Sequence, residues 1–438
     1  MAVGANFTSV DAAFKQYYAD GIEDLTYKDR PLFGLWPKHE GWVGANQATR
    51  AWHVPLKFAL PPAVSATFSV AQTRAATTSS KVVAWELTTR QLYAFIQLDN
   101  ESIERSKNDL GAFVELKALE TDGIIENVSN RLHHYSYLDG TGAIAQVGNS
   151  TQQPSFATSV LTLASSEDAV KIAFGDELVV ASSNTAATRA LGANAHGLFV
   201  IGTNYDAGTF TVGTAAGAPV NANDANDGIP TIANGDSIFH RGDAQNGTGV
   251  SAVVMGFKGW IPFTAPVNGD SQFNVDRSQN VDFLAGSRFD GTNTTIEDAL
   301  VRGSNVVAKK GGTLKQYFLN HKHFSDLVAS ISSKGSVSFL EVSPSEYPTI
   351  GYEGVKILGA KGEVDVISDY ACPSNLAAGM NIDDWYFGSV GDPVSIMSGD
   401  GLQFLRLNAA DGLEMRVYSY SNIVPRIPRN QCNVLLPL

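Results

Sequence analysis

The residues best equipped for chemistry stand together at 133–142, in the run HHYSYLDGTG, which holds two adjacent histidines, two tyrosines and an aspartate. Imidazole and carboxylate are both metal ligands and bases, so this stretch is a metal or acid–base site, or else the end of a helix. Spacing argues against the metal. Neighbours on a helix diverge by about 100°, so His133 and His134 cannot grip one ion as an i, i+4 pair does. A hydrogen-bonding or cationic ring in the last turn of a helix suits the exposed carbonyls there. Asp139 followed by Gly140 is turn chemistry. A helix end is therefore expected.

The other candidates fail on spacing or context. HKH (321–323) opens an expected helix for which Asn320 is a natural cap, and His321 and His323 then point to different faces. Asp383 and Asp384 are adjacent and diverge likewise, although Asp and Glu are too frequent for the sequence to exclude an acid–base dyad. NANDANDG (221–228) misses the EF-hand pattern because Ala225 sits where a ligand is needed, and reads as a polar hairpin loop. GTGAIA (140–145) fits G-x-G-x-x-A but follows a helix, whereas a dinucleotide loop follows a strand. No G-x-S-x-G elbow and no P-loop pattern occurs. Cys372 and Cys432 are the only cysteines, too few for a Cys-based zinc site or a disulfide framework. They suit buried small hydrophobes in a reducing compartment. No catalytic, cofactor or metal residue emerges, and an enzyme is not expected.

The elements that would position these residues are easier to read. The chain has 438 residues, 44% hydrophobic and 17% charged, enough for two or three cores and not disordered by composition. No apolar run approaches the roughly 18 residues of a membrane span, and the first residues do not form a secretory signal. A net charge of −13 and no basic cluster beyond VAKKGGTLK (307–315) argue against tight nucleic-acid binding. Residues 1–48 read as an arm, with a short helix within 10–28 and with Phe33, Leu35 and Trp36 in need of another surface to cover them. RAWHVPLKF (50–58) and KVVAWELTTRQLYAFIQL (81–98) read as strands. The segment between them is small, polar and β-branched, with Arg74 its single charge, so a long hairpin with a projecting tip is expected. An isolated hairpin is marginal, and a neighbouring chain would complete it.

Phe113, Leu116, Leu119, Ile124, Val128, Leu132 and Tyr135 mark one face of a helix of about thirty residues, capped by Asn108 or Asp109 and stopped by Gly140. Residues 155–265 read as an all-β module of short strands between Gly, Asn and Asp turns. Beyond 294 the pattern is mixed: a helix in 295–312, a strand and a helix in 313–335, strands in 337–344, 351–370 and 384–390, and a hairpin about NAADG in 401–425.

The order of these segments resembles the major capsid proteins of tailed bacteriophages with the Hong Kong 97-like fold. The stretches that carry the resemblance are the arm with its hairpin, the helix in LGAFVELKALETDGIIENVSNRLHHYSYLDGTG (110–142), GFKGWIPFTAP (256–266), and YEGVKILGAKGEVDVISDYACPSNLAAGMNIDDWYFGS (352–389). It implies an α+β fold divided into an N-terminal arm (1–48), an E-loop with flanking strands (49–98), a P-domain spine helix (99–154), a β-rich inserted domain (155–265), and an A-domain with returning P-domain strands (266–438). It implies a subunit that assembles with itself, as hexamers and pentamers, into an icosahedral shell around the phage genome. The shell would form in the bacterial cytoplasm with a separate scaffolding protein, portal and decoration proteins, and packaged DNA nearby. No membrane and no cofactor are implied. Phe33, Trp36, Phe68, Arg74 and Trp85 are the candidate assembly residues. The chain departs from many members in beginning almost directly with the arm, without a helical scaffolding segment, which implies either a separate scaffolding protein or a chain in its mature form. Some members crosslink through a Lys and an Asn; Lys57 and Lys81 flank the hairpin loop, but nothing assigns them such a bond. The alternatives are another virion component, such as a tail tube or adhesin, and a β-rich hydrolase with an unrecognised carboxylate pair.

Overall fold

In the strand Ala51–Ala59, the alternating sequence AWHVPLKFA pairs antiparallel with Lys81–Thr88, Val54 facing Trp85. The hairpin is the expected one, in a computed structural model that describes residues 30–39, 51–106, 116–148, 159–333, 355–398, 401–407 and 410–437. Burial is confined to its base, where Val54, Trp85 and Leu87 are covered, while Leu60, Val64 and Val82 are exposed. The projecting tip is not a bare turn: Phe68–Thr77 is a helix with no buried residue. Alanine, glutamine and arginine favour that state. The Thr78 hydroxyl closes the helix by donating to the Arg74 carbonyl at 2.6 Å.

Arg90–Asp99 leaves the hairpin and runs antiparallel to the fourteen-residue strand Gly412–Pro425 along its whole length. Trp385–Ser389 pairs antiparallel with the far end of that strand, and Lys38–His39 adds in parallel. The NAADG hairpin appears as Phe404–Arg406 against Gly412–Pro425. A long helix, Leu116–Tyr135, packs on Arg90–Asp99. Val128, Leu132 and Tyr135 face the core as expected, whereas Leu119 is exposed. The start of the expected helix, with Asn108, Asp109 and Phe113, lies outside the described residues, as do the arm helix within 10–28 and the strand at 337–344.

The middle of the chain forms a six-stranded antiparallel sheet in the spatial order Ala143–Gln146, Ser237–His240, Glu177–Ala181, Leu198–Asn204, Thr209–Gly213, Val160–Thr162. Its first strand lies ahead of position 155. A second six-stranded sheet is mixed, in the order Ser287–Asp290, Cys432–Leu435, Leu376–Met380, Gln316–Leu319, Gly362–Ser368, Val355–Gly359. The helix Ile296–Lys309 covers it, burying Ala299, Leu300 and Val307 against Tyr317, Val364 and Val434. The helix His321–Ser333 follows Gln316–Leu319 directly, and the Asn320 side chain caps it by accepting from the Lys322 N–H at 2.9 Å.

Candidate functional site: a buried joint and an exposed hairpin

The long helix ends at Tyr135 and tightens into i→i+3 turns, with the Tyr137 and Leu138 N–H groups donating to the His134 and Tyr135 carbonyls at 3.2 Å. Gly140 has the expected positive φ of 81° but sits five residues beyond the helix, too far to be its cap. The segment GFKGW closes the end instead: the Phe257 N–H donates to the Ser136 carbonyl at 2.8 Å and the Lys258 N–H to the Tyr137 carbonyl at 3.1 Å. Gly256 is required there, because a Cβ would collide with the Tyr135 and Leu138 carbonyl oxygens. Backbone donors thus fill the role expected of the histidines.

The histidines are buried and turned elsewhere. His133 Nε2 lies 2.9 Å from Asp369 Oδ1, the Tyr137 hydroxyl donates to Asp369 Oδ2 at 2.7 Å, and the Ala371 N–H donates to Oδ1 at 2.9 Å. Burial pushes the Asp369 carboxyl up, but these donors outweigh it and hold the group below the ordinary carboxylate range. Asp369 follows the strand Gly362–Ser368, so this cluster ties the helix end to the mixed sheet. One turn back, Arg131 meets Asp176 at 2.8 Å and Asp243 at 3.6 Å, and the Tyr135 hydroxyl donates to Asp243. Both aspartates flank strands of the antiparallel sheet. The last two turns of one helix therefore grip two different sheets through alternating side chains.

A cavity of about 710 Å³ opens beside this joint, lined among others by Asp139, Lys171, Lys258, Arg277 and Asn375. Its cations are engaged: Lys171 with Asp168, Lys258 with the Asn375 amide oxygen at 3.1 Å, and Arg277 with both oxygens of Asp270 at 3.1 Å. Asp139 accepts from the Thr141 N–H and from the Asn184 amide, which is turn chemistry as read.

The remaining motifs resolve as structure. GTGAIA leads from the helix end into the strand Ala143–Gln146. Asp383 pairs with Lys315, while Asp384 accepts from Asn381 and Asn430 at 2.8 and 2.6 Å, so the two carboxylates diverge. NANDANDG is a polar loop, but its backbone bonds residues 192–194 and does not close two strands. His321 is exposed and His323 is buried against the Ser374 carbonyl. Cys372 and Cys432 are buried free thiols, both pushed up by burial. Among the described residues, no group of three or more His, Cys, Asp or Glu side chains could hold a metal ion, and no helix is long and apolar enough to cross a membrane.

The candidate assembly residues separate into core and surface. Trp36 is buried, stacked on Trp385 with centroids 5.9 Å apart. Trp85 is buried edge-on against Trp260 at 5.1 Å, whose indole N–H donates to the Ile423 carbonyl. Both rings are buried within their own chain; alternation alone did not show that each had an indole waiting for it. Phe33 belongs to the short helix Pro31–Leu35. Phe68, 82% exposed, and the exposed Arg74 lie on the tip helix. The sequence reading missed a second exposed feature. Tyr93 and Phe95 point outward from Arg90–Asp99, beside Tyr418, Tyr420 and Arg416 on the paired strand. Tyr93 meets Tyr420 edge-on at 5.9 Å, and the Arg416 guanidinium lies 5.8 Å from the Phe95 ring. The aromatic alternation in YAF and YSY was the available signal. Asp369 was also missed, its only mark being an acid just past the end of the strand Gly362–Ser368.

No protein-family model and no curated protein matches the sequence. Solved structures do match. A chain of the cyanophage A-1(L) capsid asymmetric unit superposes with a TM-score of 0.54 over 96% of both chains, at 9% identity. The capsid of a native GTA particle gives a TM-score of 0.45 at 8% identity, over 97% of this chain and 95% of that one. Microbacterium phage Oxtober96 gives 0.46 at 8% identity, over 98% and 99%. At such identities the likeness shows the fold alone, and the first of the three carries it: the chain has an α+β fold resembling Hong Kong 97-like capsid architectures.

Proposed function

We propose that the chain is a self-assembling shell protein and, more narrowly, the major capsid protein of a tailed bacteriophage, building the icosahedral shell around the phage genome. The observation that carries this reading is the fold likeness to a capsid chain along 96% of both molecules. The hairpin supports it: its tip exposes Leu60, Val64 and Phe68, a cost that a partner's surface would remove. Under this reading the hairpin is the E-loop, Leu116–Tyr135 the spine helix of the P-domain, the antiparallel sheet from Ala143 to His240 the inserted domain, and the mixed sheet the A-domain. Phe68 and Arg74 contact a neighbouring copy, while Trp36 and Trp85 fix the arm and the hairpin base that present those contacts. The partners are other copies in hexamers and pentamers, a scaffolding protein, a portal, decoration proteins, and packaged DNA that the net charge of −13 keeps from binding tightly. The chain would reside in the virion and catalyse no reaction. Negative-stain imaging of the expressed protein, with and without a scaffolding partner, tests the reading. Closed particles of uniform size are expected; tubes, or monomers under every condition, would refute it.

A further inference from the structure

Three imidazoles are buried where the long helix meets its neighbours: His133, His134 and His240, with 0, 7 and 3% of their surface exposed. Their surroundings differ. His133 has the Asp369 carboxylate. His240, on the strand Ser237–His240, hydrogen-bonds the backbone of Lys171 and stands 3.7 Å from Asp176. Among the described residues, the groups that bear most on His134 are all basic and include no carboxylate. Facing it are the His133 ring at 6.4 Å and Arg131 on its own helix, the edge of the Tyr370 ring at 5.5 Å, Lys171 from the helical turn Ser166–Lys171, and His240 from the antiparallel sheet. Its Nε2 atom has no hydrogen-bond partner among the described residues.

We infer that His134 is an acid-sensitive latch, whose protonation frees the antiparallel sheet from the end of the long helix. As a neutral ring His134 is accommodated at this buried position. As a cation it would stand among Arg131, Lys171 and two further imidazoles, with each nearby acid already engaged. Asp176 and Asp243 hold Arg131, Asp168 holds Lys171, and Asp369 serves His133 and Tyr137. Burial first, and then these like charges, keep His134 well below the ordinary histidine range; burial and Arg131 lower His240 as well. The direction follows from proton counting. Above the ordinary histidine pKa of about 6.5, closed and open states are both neutral and the latch holds fully. Below it the open state takes up a proton that the closed state refuses, so opening gains about tenfold per pH unit for each such histidine until the closed-state pKa is reached. The opening is local, because Arg131 and Tyr135 bond Asp176 and Asp243 beside the antiparallel sheet, and Lys171 and His240, which oppose a charged His134 from outside its helix, belong to that side, whereas His133 and Tyr137 hold the mixed sheet. This inference does not depend on the shell reading.

Hydrogen exchange of the full chain, read by mass spectrometry and corrected for the intrinsic pH effect, tests it at pH 7.5, 6.5, 5.5 and 5.0. Protection of peptides covering 131–138 and 237–243 should fall at least tenfold between pH 6.5 and 5.0 and recover on return to 7.5, while 316–319 and 376–380 change little. His134→Phe and His134→Gln, which cannot titrate, should flatten that profile. A wild-type profile that is flat at the joint, simultaneous loss across both sheets, or variants that keep the wild-type profile would each overturn the latch. Should neither variant fold, the wild-type profile alone decides, since joint-first reversible opening upholds the inference and any other pattern refutes it.

Discussion

The joint at the end of the long helix and the tip of the hairpin are built on opposite plans. At the joint, Asp369 receives three donors, Arg131 meets two carboxylates, and a segment 121 residues downstream supplies the backbone donors that finish the helix. At the tip, ten helical residues have no buried member, and Phe68 stands in solvent. Polar groups removed from water must find partners or cost several kcal/mol, so the joint tolerates little change. Apolar groups left in water cost free energy in the isolated chain and yield it only when something covers them. The joint therefore serves the fold of one chain, and under the proposed function the tip serves an encounter between chains.

Substitutions can break or sharpen this contrast. The largest expected effect is at the joint: Asp369→Ala strands His133, Tyr137 and the Ala371 N–H, and should cost about 3–5 kcal/mol, read from urea unfolding midpoints. Asp369→Asn adds a pH signature. Because the folded carboxyl is held below its ordinary value, the stability it contributes is present above about pH 4 and is lost as pH falls through the lower folded value, so the Asn variant should lack that acid limb. Next in size is Trp85→Ala at the hairpin base, where the loss of packing on Trp260 should cost about 3–4 kcal/mol and loosen the hairpin from the body. Gly256→Ala follows at about 1–3 kcal/mol, since the added methyl meets backbone carbonyls that have no room to move. The smallest effect on stability belongs to the tip: Phe68→Ser with Arg74→Glu should change the unfolding midpoint by no more than about 0.5 kcal/mol while lowering the yield of assembled particles. Equal costs at tip and joint would erase the contrast.

Local pattern carried much of this into the sequence. The hairpin strands, the periodic part of the long helix, the strand–helix pair around Asn320 and the NAADG hairpin depend on side-chain alternation, caps and turns within a few residues of one another. What stayed hidden depends on distance along the chain. His133 waits 236 positions for Asp369, and the helix end waits for Phe257 and Lys258. No local pattern marks such partners. The tip helix was hidden for another reason. Its ten residues have no buried face, so the apolar periodicity by which a helix is recognised is absent, and threonines and valines suggested extended chain. Trp36 and Trp85 were credited to an interface because the sequence shows that an indole must be covered, not which chain covers it.

The most direct test of the central claim, that the hairpin tip belongs to assembly and not to the fold of its own chain, is removal of residues 62–78 followed by parallel circular dichroism and sedimentation velocity on the purified protein. The expected result is a cooperative thermal transition close to that of the intact chain, with the large particles that the proposed function expects of the intact chain absent. A deletion that unfolds the subunit, or one that still forms particles of the original size, would contradict the account.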